Sequence, residues 1–342
     1  MAEQIPVIVL RGSPMERGRQ HGAHLRGLIV KSIDSTRRAA GQGGWERARL
    51  KSAGCIERLS ATSPDIADEI RGIADGAALA PPDVLLLSAF EYLGESQTGC
   101  TSAGFARADG AVVGQNWDAP AGTERNLAVL VHEGPDRHLV MVASAGTLGW
   151  VGMNEHGLAF VNNDLILDEA AEGLPSLVIR RLMLDQRTVE GAMAVLRINR
   201  HMSGRCFMVG DAYGGLRVAE LGPSAGVTDR PFRRTAHTNH PLFAKPAMWE
   251  DIEAVARIYP SSRGRLRAAR RFSLSSIDDV SELLCDRCGA PDAIAKTPSS
   301  REPTGTAFSV IFDCSRREAL VALGRPDPAA YRRIAMMQPA GA

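Results

Sequence analysis

A chain of 342 residues, 44% of them apolar, is long enough to bury a large core as one large domain or two small ones. Its 40 Lys and Arg nearly balance 39 Asp and Glu, and a net charge of +1 gives no reason to expect nucleic acid or an acidic membrane as partner. Six scattered cysteines make no disulfide framework and point to a reducing cytoplasm, and no apolar run is long enough to span a bilayer.

In chain order, "MAEQIPVIVLRGSP" holds a short apolar run without a basic leader and reads as a first strand, not a secretion signal. "PMERGRQHGAHLRGLIVKSIDSTRRA" follows as a helix with Pro14 in its first turn. "TSPDIADEIRGIADGAAL" is a better amphipathic helix, with Ser63 as its expected cap and Ile66, Ile70 and Ile73 on one face. "APPDVLLLSAFEYLG" reads as a third, more apolar helix. At Cys100 the pattern changes to strands. "TSAGFARADGAVVGQNWD" carries an Asp109-Gly110 turn between two short runs, a strong hairpin signal. Further strand pairs are expected in "NLAVLVHEGPDRHLVMVAS", around a Gly-Pro-Asp turn, and in "GWVGMNEHGLAFVNNDL". Helices return at "SLVIRRLMLDQ" and "TVEGAMAVLRI", and strands again at "CFMVGDAYGGLRVAEL". Helices are expected near 247–259 and at 276–288, the latter with Ser276 and Asp279 in capping-box spacing and Gly289 as its end. Residues 289–304 read as a long loop, and "AFSVIFDCSRREALVAL" as a closing strand pair. Consecutive hairpins flanked by helical blocks predict antiparallel sheets covered by helices.

The chemistry centres on Gly99-Cys100, directly before the first hairpin. A thiol is a weak nucleophile at its ordinary pKa and needs a base within reach. Its own α-amino group can be that base, with a pKa near 8, but only if the bond before it is broken. A thiolate attacking the preceding carbonyl would make a thioester that water hydrolyses, and glycine at position 99 leaves that carbonyl unshielded. Asp118 ends the second strand of the hairpin, and antiparallel pairing returns it to the neighbourhood of Cys100.

Taken as an ordered set, "RGSPMERGRQHG", "GCTS", "GQNWD", "GMNEHGLAFVNN", "HTNHPLF" and "TAFSVIFDCSRREALVALGRP" resemble the isopenicillin N acyltransferase family. These acyl-coenzyme A:6-aminopenicillanic acid acyltransferases are a branch of the autoproteolytic N-terminal nucleophile hydrolases, related to choloylglycine hydrolases and penicillin V acylases. The resemblance implies an α+β, four-layer αββα fold with two stacked antiparallel sheets. It implies self-cleavage between Gly99 and Cys100 into a helical 1–99 chain and a catalytic 100–342 chain that stay associated as one compact domain. It makes Cys100 the nucleophile, Asp118 the carboxylate that orients it, and Asn239 an oxyanion donor. Asn163 is chosen from the pair at 162–163 as a second oxyanion contributor, and Arg301 as an arginine near the nucleophile. No cofactor or metal is implied. The substrate would be a small acylated amine or an acyl-CoA, with hydrolysis of a small amide the leading reading and acyl transfer the alternative. Gln115 stands where the bile-salt branch has arginine, which speaks against a bile-acid substrate.

Three other readings compete. His237 or His240 beside Asn239 would serve as base in a Cys-His pair. Cys285 and Cys288 form a C-x-x-C, but no second pair of ligands stands at zinc spacing. A relative that kept the fold as a binding module would not need Cys100, Asp118 and Asn239 together.

Overall fold

The computed structural model describes residues 4–94, 98–134, 137–167 and 171–336. Of the expected Gly-Pro-Asp turn, Pro135 and Asp136 lie outside the described residues. The strands are β1 (Val7–Arg11), β2 (Gly99–Arg107), β3 (Gly110–Pro120), β4 (Leu127–Glu133) and β5 (His138–Ser144). They continue as β6 (Val151–Asn154), β7 (Ala159–Asp164), β8 (Arg205–Gly210), β9 (Leu216–Gly222) and β10 (Gly226–Pro231). The last four are β11 (Arg234–His237), β12 (Thr304–Asp313), β13 (Glu318–Leu323) and β14 (Arg332–Ala335).

These strands form two sheets, eight-stranded in the order β1-β4-β5-β6-β7-β8-β9-β10 and six-stranded in the order β11-β2-β3-β12-β13-β14. Pairing is antiparallel except at β1, which runs parallel to β4, so the expectation of purely antiparallel sheets is corrected at that edge. A parallel neighbour needs a long crossover. The helices up to residue 92 and the first hairpin supply it.

Alternation along the strands builds the layers. Val113, Trp117, Phe308 and Val310 from the smaller sheet pack on Val140, Val161 and Met208 from the larger, and this apolar layer fills the space between the sheets. The outer face of the larger sheet is covered by α1 (Pro14–Thr62), α2 (Pro64–Ala77), α3 (Pro81–Leu85), α4 (Ser176–Met183) and α5 (Val189–Ile198). Two short helices follow β11, α6 (Ala244–Ala247) and α7 (Ile252–Ile258). The outer face of the smaller sheet meets α8 (Ser262–Ala269) and α9 (Ile277–Leu284). The result is the four-layer αββα arrangement.

Local departures from expectation have local causes. Helix α1 runs on to Thr62 but breaks direction at Gly41, whose φ of 66° no helix holds. Ser63 does not cap α2 with its side chain; its backbone N–H instead donates to the Leu59 carbonyl. The apolar "APPDVLLLSAFEYLG" forms only α3 and a single 3₁₀ turn at Phe90–Tyr92, with α3 packed against α1 and α2. The capping box of α9 is present, with Ser276 and Asp279 bonding reciprocally, but the helix stops at Leu284, short of Gly289. Strands β10, β11 and β14 and helix α8 were not expected, and α8 proves the most consequential.

Candidate active site

The hairpin β2–β3 sets the site. Its register places Gly99 opposite Asp118 and Cys100 opposite Trp117. Cys100 and Trp117 face the inter-sheet layer, while Gly99, Thr101, Asn116 and Asp118 face outward toward α8 and α9. The thiol and the Asp118 carboxylate therefore lie on opposite faces of one sheet, with the Gly99–Cys100 peptide between them. A side chain on Gly99 would lie 3.4 Å from Asp118 Oδ2 and 3.6 Å from Asn239 Oδ1, so both groups converge on this residue.

Asn239 arrives from the other side. Strand β11 pairs with β2, His237 opposite Ser102, and the chain passes Cys100 two residues later. Asn239 Oδ1 accepts the Cys100 backbone N–H at 2.9 Å and Arg265 Nη2 at 2.8 Å. Its Nδ2 donates to the Asp164 carbonyl at 3.1 Å. Two donors at one atom fix that atom as the oxygen, so the amide orientation is determined by its neighbours. Arg265, wholly buried on α8, donates from Nη1 to the Cys100 carbonyl at 2.5 Å and to Thr101 Oγ1 at 2.8 Å. Ser261 Oγ holds its Nε at 2.9 Å.

Burial pushes the Cys100 thiol well above its ordinary pKa, Asp164 and Asp118 add to this, and Arg265 and Arg180 oppose it. Asp118 is also raised by burial, against the pull of Arg265 and Lys296. Its Oδ1 accepts from Thr306 Oγ1 at 2.8 Å, and its Oδ2 is buried without a partner. Lys296, buried beneath it, bonds Glu302 and, at 2.8 Å, Thr304 Oγ1.

The remaining expected residues divide. Asn163 sits one step aside: its Oδ1 accepts from Ser102 Oγ at 2.6 Å and its Nδ2 donates to the His237 carbonyl at 3.4 Å. The next residue, Asp164, reaches the site instead. Besides its carbonyl on Asn239, its Oδ2 accepts from Thr98 Oγ1 at 3.0 Å and its Oδ1 lies 3.3 Å from Arg205 Nε. Arg301 shares the wall of a cavity of about 130 Å³ with Gly99, Tyr259 and Thr304. Its guanidinium is half-exposed and bonds Asp292 at 3.2 Å and the Pro260 carbonyl at 3.0 Å. Asn116 shares Asp118's face but donates to the Leu284 and Ile294 carbonyls, tying down α9 and the following loop.

Neither histidine reaches the thiol. His237 bonds Glu220 Oε1 at 2.8 Å through Nε2 and the Thr238 carbonyl at 2.7 Å through Nδ1. His240 Nδ1 lies 2.7 Å from Ser262 Oγ, and burial pulls its pKa down to about 3. Cys285 caps the end of α9 and Cys288 is exposed, and no group of metal-ligating side chains occurs among the described residues. The missed residues are Arg265, Asp164 and Lys296. Arg265 hides in "SSRGRLRAARR", which has the composition of a solvated helix face; only its spacing of four from Ser261 hints at an inward role.

Residues 105–328 match the family described as acyl-coenzyme A:6-aminopenicillanic acid acyl-transferase. The acyl-coenzyme A:6-aminopenicillanic-acid-acyltransferase of Emericella nidulans is 30% identical over 339 residues, spanning 94% of this chain and 93% of that protein. Among solved structures, penicillin V acylase from Agrobacterium tumefaciens superposes with a TM-score of 0.43 at 15% identity, over 66% of this chain and 82% of that one. A conjugated bile acid hydrolase variant from Clostridium perfringens gives 0.47 at 10% identity, over 69% and 92%. Both scores are low, and the layered fold rests on this chain's own sheets. The length and identity of the sequence match settle the family: this chain belongs to the acyl-coenzyme A:6-aminopenicillanic acid acyl-transferases.

Proposed function

We propose that the chain is a self-processing thiol amidohydrolase or acyltransferase with Cys100 as nucleophile. In the uncut chain Cys100 Sγ attacks the Gly99 carbonyl carbon. The C–N bond breaks, the acyl group moves to sulfur, and the Cys100 nitrogen takes a proton to become a free amine. Water then hydrolyses the thioester, releasing a Gly99 carboxylate and the thiol. The amine is thereafter the proton acceptor for Sγ, which attacks a substrate amide carbonyl and expels the amine half. The acyl-enzyme passes its acyl group to water, or in the alternative to a second amine. The relative's name supplies acyl-CoA and 6-aminopenicillanic acid as one donor and acceptor pair.

The observation that carries this reading is the bond from the Cys100 N–H to Asn239 Oδ1. The atom that must become the base is already held by an acceptor, which would keep an α-amine in place with its lone pair free for the thiol proton. Asn239 Nδ2 spends one hydrogen on Asp164 and keeps its second for an oxyanion, an interaction worth on the order of 3 kcal/mol. Asp118, with one unpartnered oxygen against Gly99, is the carboxylate that steadies charge during both steps. Free cysteines throughout the described residues fit a reducing cytoplasm.

The test is alkylation. With processed protein, a limiting iodoacetamide probe at pH 7 should modify Cys100 far faster than the five other cysteines, and activity should fall in step. Equal labelling of all six, or full turnover by Cys100→Ala, rejects the nucleophile and favours a binding module.

A further inference from the structure

Gly99 forms part of the wall of the cavity of about 130 Å³, which has room for several waters. The same wall carries Arg257, Tyr259, Arg301, Glu302 and Thr304. Among the described residues that line it, Glu302 has the one carboxylate, and it is 4% exposed. Its Oε2 accepts the Ser261 N–H at 3.3 Å, and its Oε1 touches Lys296 Nζ. A carboxylate has about four acceptor positions, so two are left over for water.

Two paths of bonds tie Glu302 to the residues around Cys100. Ser261, whose N–H it takes, holds Arg265 Nε through Oγ at 2.9 Å, and Arg265 reaches the Cys100 carbonyl. Lys296, 1% exposed, donates from Nζ to Thr304 Oγ1 at 2.8 Å and from its backbone N–H to Thr306 Oγ1 at 3.0 Å. The Thr306 hydroxyl donates in turn to Asp118 Oδ1 at 2.8 Å. The two carboxylates at the ends of these paths differ in charge state. Burial lifts Asp118 above its ordinary value. Burial alone would lift Glu302 too, but Lys296 and Arg265 outweigh it and hold Glu302 below the usual carboxylate range. A proton acceptor has to be ionised at the working pH, and of the two Glu302 meets that condition better.

We propose that this cavity holds the water that completes self-cleavage, and that Glu302, positioned by Lys296 and Ser261, takes a proton from it. This rests on the reading of Cys100 as nucleophile, and concerns the step after the Gly99 acyl group has moved to sulfur. The water oxygen bonds to the Gly99 acyl carbon, one water proton passes to Glu302, and the C–S bond breaks. The departing sulfur takes that proton, returned by Glu302 through water. The second proton leaves when the new Gly99 carboxyl group ionises. Arg257 and Arg301, exposed guanidiniums on the same wall, suit that carboxylate and draw it off Glu302, which opposes the reverse reaction.

Hydroxylamine tests it, because it splits a thioester unaided and leaves an ordinary amide bond whole. Glu302→Gln keeps the shape but cannot take the proton, so cutting followed by mass from cell-free synthesis should slow by at least about 100-fold. Neutral hydroxylamine should then divide the variant into two pieces, the first ending in a Gly99 hydroxamate. Glu302→Ala leaves space for a small carboxylate, and formate should speed its cutting where chloride at equal ionic strength does not. Cutting by Glu302→Gln at the parent rate, or variants that stay whole in both hydroxylamine and formate, would overturn the assignment. Cys100→Ala separates this from the nucleophile. If hydroxylamine divides Cys100→Ala as well, or the parent chain is never cut, the thiol reading fails. If the parent is cut, Cys100→Ala stays whole and Glu302→Gln is cut at the parent rate, the thiol stands and the proton acceptor alone is wrong.

Discussion

Arg265 donates to the Cys100 carbonyl, the Thr101 hydroxyl and the Asn239 amide oxygen, and those bonds decide which end of Asn239 faces Cys100. Removing the guanidinium would leave that amide free to turn and remove a cation beside the α-amine that the proposed cleavage frees. Arg265→Met should slow both self-cleavage and turnover, each by about 100-fold on the scale of a lost oriented donor. It should also move the acid limb of kcat/KM upward in pH, because an amine without a neighbouring cation holds its proton more strongly. Arg265→Lys should recover part of both effects; a loss of rate with an unmoved limb would mark the residue as merely structural. Asn239→Ala should cost a similar factor in single-turnover acylation. Cys100 and Asp118 are legible in the sequence because one hairpin, marked by Asp109-Gly110, brings them together through local register. Arg265 is not, because the bonds that define it reach 165 positions back along the chain to Cys100. Asp164 was passed over for Asn163 by a single position, which strand alternation turns into opposite faces.

At the scale of elements, the opening "RGRQHG" segment acquires a physical meaning. A Cβ on Gly18 would sit 2.2 Å from the Glu69 carbonyl oxygen, and one on Gly22 2.1 Å from that of Ile73. Gly72 and Gly76 face back in the same way, at 2.3 and 2.1 Å from the Met15 and Arg19 carbonyls. Helices α1 and α2 thus cross backbone to backbone, and a methyl group has nowhere to go. Gly22→Ala should destabilise by about 1–3 kcal/mol, the range for overpacking, read as a lower midpoint in urea at unchanged slope. An unchanged midpoint would mean that the crossing yields at no cost. Most strands and the long helices were readable from periodicity and turn residues. Helix α8 was not, since its eight residues, Ser262–Ala269, hold three arginines and little apolar pattern, and its stability comes from tertiary bonds through Arg265.

Across the whole molecule, the helical first segment is tied to the rest by a buried ion pair. Arg181 on α4 donates to both Glu69 oxygens, at 2.7 and 2.8 Å, and His132 lies 3.8 Å from the same carboxylate. Burial alone would raise Glu69, but Arg181 and its neighbours bring it down to about 2. Burial pulls His132 down to about 3 and His21 to about 4. In each case the unfolded chain binds more protons over the interval between the two pKa values, so stability rises with pH there. The histidine contribution should start to fade as pH falls below about 6.5 and the Glu69 contribution below about 4.5, so the urea midpoint should drop steadily into acid. His132→Gln should flatten the upper part of that slope, and a midpoint level between pH 6 and 4 would contradict this assignment. The same pair would hold two fragments together once the chain is cut, alongside β1, which lies in the sheet next to β4.

The cut is the claim on which the mechanism depends, and mass measurement under denaturing conditions reads it directly. Purified active protein should give two species, the larger beginning at Cys100, while Cys100→Ala gives one mass for the whole chain. A single uncut mass from fully active protein would contradict the account.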